Sequence, residues 1–132
     1  MYFPGDIDRT FWEVMAGDHS TLIRNVVEWA LNEERAVTVT GPGLLDVTAW
    51  RQKNSMTVHL VNLTNPMMWK APYREFVPAG PQTVRVRLPQ GAKVAGVHLL
   101  VSGRTPQATS SNGAIRLTVP TVVDHEVVAI DF

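Results

Sequence analysis

The spacing of apolar residues changes near Arg35, and this change limits the folds open to the chain. From His19 to Asn32 apolar side chains recur at intervals of three and four, the period of an amphipathic helix; they are Leu22, Ile23, Val26, Val27, Ala30 and Leu31. From about residue 36 to the C-terminus the period is two, as in β-strands. The sequence therefore predicts one helix followed by a region of strands only.

The strand period is clearest in two runs. Val84, Val86 and Leu88 alternate with arginines, and Ile115, Leu117 and Val119 repeat the pattern; further strands are predicted at Ala36 to Thr40, Leu44 to Gln52, Met56 to Leu63, Lys93 to Val101 and Val122 to Asp131. Turn residues such as Gly41-Pro42-Gly43 and Ser111-Asn112-Gly113 separate the strands. The predicted fold class is mainly β: an antiparallel β-sandwich of about seven strands preceded by one α-helix.

Composition excludes several functions. Twelve Lys and Arg balance twelve Asp and Glu, so no broad positive field attracts nucleic acid. The absence of cysteine excludes disulfides and thiolate sites. No apolar run approaches the ~20 residues that span a bilayer, and no targeting segment is recognisable. We therefore predict a soluble chain with no nucleic-acid or membrane partner; its compartment is undetermined, with the cytoplasm slightly favoured.

One short segment groups charged residues. Asp6, Asp8 and Arg9 lie together after Gly5, where they could hold a hydroxyl-rich ligand or a hard cation. Glycosidase carboxylates stand ~5 to 9.5 Å apart across the scissile bond, so residues two apart on one turn are poor acid and base candidates. The local alternative is a turn in which Asp6 caps backbone amides and Arg9 pairs with Asp8.

No other pattern indicates chemistry. The histidines, His19, His59, His98 and His125, have no zinc-site spacing, and neither a nucleophile elbow nor a phosphate-binding loop is present. We predict no catalytic residue, no metal and no cofactor in this chain.

A long connection from Thr64 to Gly80 combines three prolines with large apolar side chains; they are Met67, Met68, Trp69, Tyr73 and Phe76. Because such side chains are unfavourable in water, we expect this loop to contact a neighbouring domain or line a cleft. Trp50, Trp69 and Tyr73 could instead form a platform for sugar rings. For Trp50 we prefer the alternative prediction that it is a buried core residue.

The N-terminal segment Tyr2-Phe3-Pro4-Gly5 is typical of a buried strand that enters a turn. A strand end implies a sheet that lies outside this sequence; the alternative is a short disordered leader.

Several segments resemble the C-terminal region of bacterial glycoside-hydrolase-like proteins. The resemblance covers essentially the whole chain; it rests on Tyr2 to Trp12, Val27-Glu28-Trp29-Ala30, Val37 to Gly43 and Val58 to Pro66. Such proteins have a β-galactosidase-like or α-amylase-like (β/α)₈ barrel, a β-galactosidase trimerisation domain of flavodoxin-like fold, and a C-terminal β-sandwich.

The resemblance implies that residues 1–35 are a strand end, loop and helix of the trimerisation domain, and that residues 36–132 are the C-terminal sandwich. It also implies that the catalytic carboxylates lie in the barrel, so this chain is not itself an enzyme. The predicted function is a non-catalytic accessory module of a glycoside-hydrolase-like protein; the alternative is a carbohydrate-binding module. The implied partners are the upstream barrel and trimerisation domain, with a second copy of the chain and carbohydrate as further candidates.

Overall fold

The structure, a computed structural model, describes residues 5–14, 17–65 and 74–132. The chain divides into two compact units, Met1–Arg35 and Ala36–Phe132. The division falls where the spacing of apolar residues changes from three or four to two. We describe each unit by itself.

In the part of the first unit that the structure describes there are two helices, α1 over Ile7–Val14 and α2 over Gly17–Leu31. The helix predicted from His19 to Asn32 corresponds to α2 and begins two residues earlier. The sequence predicts a turn from Gly5 to Arg9. This prediction is wrong from Ile7 onward, because α1 begins at Ile7. Ile7 and Phe11, four residues apart, are partly buried, whereas Asp8, Arg9 and Thr10 are exposed.

The second unit is a β-sandwich, which confirms the predicted fold class. Among the described residues it has eight strands instead of about seven, and the first unit has two helices instead of one. The strands are β1 Val37–Thr40, β2 Leu45–Arg51, β3 Ser55–Asn62, β4 Gln82–Arg87, β5 Gly96–Leu99, β6 Ala108–Ser111, β7 Ala114–Val119 and β8 His125–Asp131. They form two four-stranded antiparallel sheets, ordered β1-β4-β7-β6 and β2-β3-β8-β5. We call these the first and the second sheet.

The core lies between the two sheets. Alternate residues of β3 and β4 point inward and are fully buried, among them Val58, Leu60, Val84 and Val86. The central strand β8 is buried on nearly every residue, since Val127 and Ala129 are covered as well as the inward Val128 and Ile130. Within the described segments, no helix is long and apolar enough to cross a bilayer.

Candidate functional site

The predicted site residues Asp6 and Asp8 lie at the start of α1. The backbone carbonyl of Asp6 accepts the N–H of Thr10 at 2.9 Å, and the N–H of Arg9 donates to the Asp6 side chain, as at a helix N-cap. A hydrogen bond between the two carboxyls raises the pKa of Asp6 and lowers the pKa of Asp8. Both groups are exposed. The carboxylates therefore serve the helix start, and their role toward a ligand stays a prediction.

Arg9 does not form the ion pair with Asp8 that the local alternative predicted. Its Nε donates to Oε1 of Glu13 at 2.8 Å, one turn further along α1. The reason is helical geometry, since side chains four residues apart lie on the same face. Arg9 is exposed and does not complete a closed site with the two aspartates.

The helical unit has an apolar depression of about 230 Å³ between its two helices, lined by Gly5, Ile7, Asp8, Leu22, Ile23, Val26 and Val27. Four of these lining residues, Leu22, Ile23, Val26 and Val27, belong to α2, and no residue of that helix is buried. Leu22, Val27 and Leu31 are exposed, and so is Trp29 beside them. We call Leu22, Ile23, Val26, Val27 and Leu31 the α2 stripe; within the helical unit it is largely uncovered.

Trp50 lies on β2, the edge strand of the second sheet, and its side chain is 65% exposed. The prediction that Trp50 is a core residue is therefore wrong. The cause is its register: Trp50 is opposite Thr57, whose neighbours Met56 and Val58 point inward and are buried. Trp50 thus faces outward.

The outward side of the second sheet mixes apolar and hydrogen-bonding side chains. Thr57 is opposite Ala129, which is opposite His98, so one row runs from Trp50 across all four strands. In the adjacent row, Thr48 and His59 lead to the buried Val127. We call this surface the Trp50 face. It combines one exposed indole with hydrogen-bonding side chains, which is the arrangement that a sugar ring can stack on.

Two histidines meet on the Trp50 face, a contact that sequence spacing did not predict. Nδ1 of His59 lies 3.4 Å from Nε2 of His125, and the ring centroids are 5.6 Å apart at an interplanar angle of 20°. They are 66 residues apart in sequence, so only the pairing of β3 with β8 brings them together. No group of three or more histidines and carboxylates in residues 5–14, 17–65 and 74–132 is arranged to hold a metal ion.

The long loop from Thr64 to Gly80 is held at its two stems. Nδ2 of the buried Asn65 donates to the carbonyl of Glu75 at 2.9 Å, and Nδ2 of the buried Asn62 donates to the carbonyl of Val77 at 2.8 Å. Phe76, between these anchors, is exposed. The predicted site residues Trp69 and Tyr73, like Met67 and Met68, lie outside the described residues, so their interdomain or sugar-binding role stays a prediction.

The fold resembles parts of two solved carbohydrate-active enzymes. It is similar to α-L-fucosidase isoenzyme 2 from Paenibacillus thiaminolyticus, with a TM-score of 0.78 and 17% identity over 96% of this chain and 20% of that chain. It is also similar to a cycloisomaltooligosaccharide glucanotransferase from a Paenibacillus species, with a TM-score of 0.57 and 16% identity over 71% of this chain and 16% of that chain. No protein-family model matches the sequence, and no curated protein matches it significantly.

At these identities the likeness is one of fold. The chain spans a fifth or less of the length of either enzyme. A match over 96% of the chain includes most of the first 35 residues, so the helical unit as well as the sandwich has a counterpart in the fucosidase.

Proposed function

We propose that this chain is a non-catalytic accessory module of a larger glycoside-hydrolase-like protein, in which it supports domain packing or oligomerisation. The observation that carries the proposal is the uncovered α2 stripe. Most of the stability of a helix in a protein comes from packing its apolar face, and α2 buries none of its residues. Covering apolar surface is favourable by roughly 25 cal/mol per Å², so the stripe favours association with further protein.

The proposed cover is a sheet of an upstream domain, as the resemblance to the trimerisation domain implies. The solved neighbours support this arrangement, because in both of them the matching region is a small part of a longer enzyme. Catalysis would then belong to the upstream barrel, and this chain would contribute surface and position.

The size of the isolated chain in solution tests the role of the stripe. With its upstream partner absent, we expect the chain to self-associate through α2, and Val27→Asp to give a monomer. Val123→Asp is the matched control, since Val123 is 46% exposed in the sandwich and Val27 is 55% exposed in the helix. Light scattering coupled to size exclusion measures the mass. A monomeric wild-type chain whose α2 amides exchange as slowly as those of β8 would contradict the proposal.

The absence of catalysis is tested separately. We expect the isolated chain to release no product from aryl glycosides. Turnover by the purified chain that disappears in Asp6→Ala or Asp8→Ala would overturn a non-catalytic role.

A second candidate function, carbohydrate binding, is favoured by the exposure of Trp50 on an outward sheet face. Stacking on an indole is worth about 1 kcal/mol, so Trp50→Ala should lower the affinity for a bound glycan by about fivefold. Trp29→Ala is the matched control, because Trp29 is 67% exposed but lies in the helical unit. A glycan array with the three proteins decides: no bound glycan, or equal loss in both variants, would contradict this function.

A further inference from the structure

Two ring nitrogens on the Trp50 face point at each other. Nδ1 of His59 and Nε2 of His125 are 3.4 Å apart, while the ring centroids are 5.6 Å apart. Because the centroids lie farther apart than the nitrogens, the two rings meet edge to edge and not face to face. An imidazole nitrogen carries its proton or its lone pair in the plane of the ring. The pair therefore directs two coordinating atoms into the space between the rings.

Strand pairing holds the two histidines in this position. His59 lies opposite Val127 and His125 lies opposite Val61, so the histidines are diagonal neighbours on β3 and β8. These are the two central strands of the second sheet, with β2 and β5 outside them. Both histidine side chains are partly buried. Side chains placed by central strands keep their geometry better than side chains on a loop.

The charge around the histidine pair is negative. Asp46 of β2 lies in the same cross-strand row as His125, with Val61 between them. Asp124 precedes His125 and accepts its backbone N–H at 2.8 Å. The four strands of this sheet contain a single Lys or Arg, which is Arg51 at the far end of β2. These surroundings favour a bound cation over a bound anion.

The distance between the two nitrogens matches one class of cation. Zinc holds imidazole nitrogens at ~2.0 to 2.1 Å in a tetrahedral arrangement, which places two of them roughly 3.3 to 3.4 Å apart. Imidazole suits zinc, copper and nickel, whereas Mg²⁺ and Ca²⁺ take oxygen ligands. Among the described residues, neither outer ring nitrogen, Nε2 of His59 or Nδ1 of His125, has a hydrogen-bond partner. Each ring can therefore carry its proton on the outer nitrogen and turn a lone pair inward.

We propose that His59 and His125 form a two-histidine site for Zn²⁺ or a similar divalent transition-metal ion. Water fills the other coordination positions, as in zinc sites that keep an open position. The proposal departs from the prediction of no metal, which rested on spacing along the chain. The two histidines are 66 residues apart, and only the fold joins them. The site does not depend on a role in domain packing or in glycan binding.

A zinc titration of the full chain tests the site. Isothermal titration calorimetry at about pH 7.5 should give one ion per chain. Zinc should also raise the melting temperature, because an ion that binds only the folded chain stabilises it. Mg²⁺ at the same concentration should do neither. Zinc affinity should fall when the pH is lowered to about 5.5, since imidazole binds a metal only in its neutral form.

Substitutions locate the ion. His59→Gln and His125→Gln should each weaken zinc binding by at least about tenfold, since even an outer-shell partner of a metal site is worth about 10- to 100-fold. His98→Gln is the matched control and should leave affinity nearly unchanged. His98 is 49% exposed on β5 of the same sheet, and its Nε2 lies 4.0 Å from a carboxylate oxygen of Asp131. Thermal unfolding without zinc checks that all three variants are folded.

Nuclear magnetic resonance of the imidazole nitrogens adds a measurement that needs no variant. In the wild-type chain, zinc should shift the ring signals of His59 and His125 and leave those of His98 in place. The proposal is overturned if wild type does not bind zinc, if either substitution in the pair leaves affinity unchanged, or if His98→Gln loses as much. Equal stabilisation by Mg²⁺, or a zinc-dependent shift of His98 in place of the pair, would overturn it as well.

Discussion

The buried carboxylate of Glu126 accepts the backbone N–H of Ser102, at 3.2 Å, and so holds the turn that follows β5. Its other oxygen accepts the N–H groups of Val101 and Val127, each at 2.9 Å. Glu126 is 2% exposed and lies opposite Leu60 on the inward side of β8. One charged side chain at the end of the core therefore satisfies the amides of a turn whose own apolar side chains, Leu100 and Val101, are exposed.

Replacing Glu126 should destabilise the sandwich. Glu126→Gln keeps the shape but exchanges one acceptor oxygen for an NH₂ group that faces a backbone donor, so we expect a loss of about 1 to 3 kcal/mol in the free energy of unfolding. Denaturant unfolding measures it. Asp131→Asn, on the exposed end of the same strand, is the control and should change stability little. An unchanged midpoint for Glu126→Gln would show that the turn does not need the charge.

The same residue predicts a dependence on pH. Burial alone would raise the pKa of Glu126, but hydrogen bonds from Ser102 and from the amides of Val101 and Val127 outweigh it, so the pKa lies below its ordinary value of 4.5. A carboxyl with a lowered folded-state pKa contributes stability above its unfolded pKa and loses it as the pH falls through the folded one. The stability gap between wild type and Glu126→Gln should therefore be constant near neutrality and shrink below about pH 4.5. A gap that widens on acidification would contradict this.

Asn62 joins three parts of the chain and should be the most sensitive polar residue of the sandwich. Its Nδ2 lies 2.8 Å, 3.1 Å and 2.7 Å from the carbonyl oxygens of Val77, Val122 and Val123, and its Oδ1 accepts the N–H of Thr64. Asn62→Asp would place a carboxylate against three carbonyl oxygens. We expect it to cost more than Asn62→Ala, which leaves the carbonyls unpaired at about 1 to 3 kcal/mol.

The pH dependence of the Asn62→Asp variant checks whether its carboxylate charge causes the expected loss of stability. Because protonation would let Asp donate again, acidification should recover part of the loss in Asn62→Asp and none in Asn62→Ala. Equal stability of the two variants at neutral pH, measured by denaturant unfolding, would show that a carboxylate facing the three carbonyl oxygens costs no more than the loss of the Nδ2 donor.

Strand β6 shows where sequence reading reaches its limit in this fold. The sandwich could be predicted because strands such as β4 alternate between buried valines and outward arginines. β6 reads Ala-Thr-Ser-Ser and is exposed at every residue, so it carries no hydrophobic period. It exists because the Asn112-Gly113 turn, with φ angles of 51° and 70°, returns the chain antiparallel to β7. The sequence predicts the turn from Ser111-Asn112-Gly113, but the strand before it has no hydrophobic period that would predict it.

Trp50 and His59 illustrate the corresponding limit for the candidate site. Strand β2 is apolar on both sides in sequence, as Val47 and Trp50 show, and period alone cannot tell which side of such a strand meets the core. The answer depends on the register with β3, which is a long-range property. The meeting of His59 with His125 depends on the pairing of β3 with β8 in the same way. The sequence therefore indicates which residue types could form a site. Which of them lie on the same face of the sheet depends on the strand pairing, which the sequence pattern does not give.

Gly43 and Gly91 have similar backbone angles but different surroundings, so replacing each by alanine distinguishes the cost of backbone strain from the cost of a steric clash. Gly43 has φ of +90° and Gly91 has φ of +77°. A Cβ at Gly43 would lie 2.7 Å from Oγ1 of Thr64 and 2.8 Å from Cβ of Ala79, whereas at Gly91 nothing lies within 4 Å. Gly91→Ala should therefore cost only the left-handed conformation, about 1 to 2 kcal/mol.

Gly43→Ala should cost more than Gly91→Ala by about 1 kcal/mol or more, because Thr64 and Ala79 must also move. Those two residues flank the long loop whose stems Asn62 and Asn65 hold, so the strain would fall on the connection that carries Phe76. Thermal and denaturant unfolding of the two single variants measures the difference. Equal losses would mean that the turn at Gly41-Pro42-Gly43 can shift away from the loop, and that the loop base is less tightly fixed than these contacts indicate.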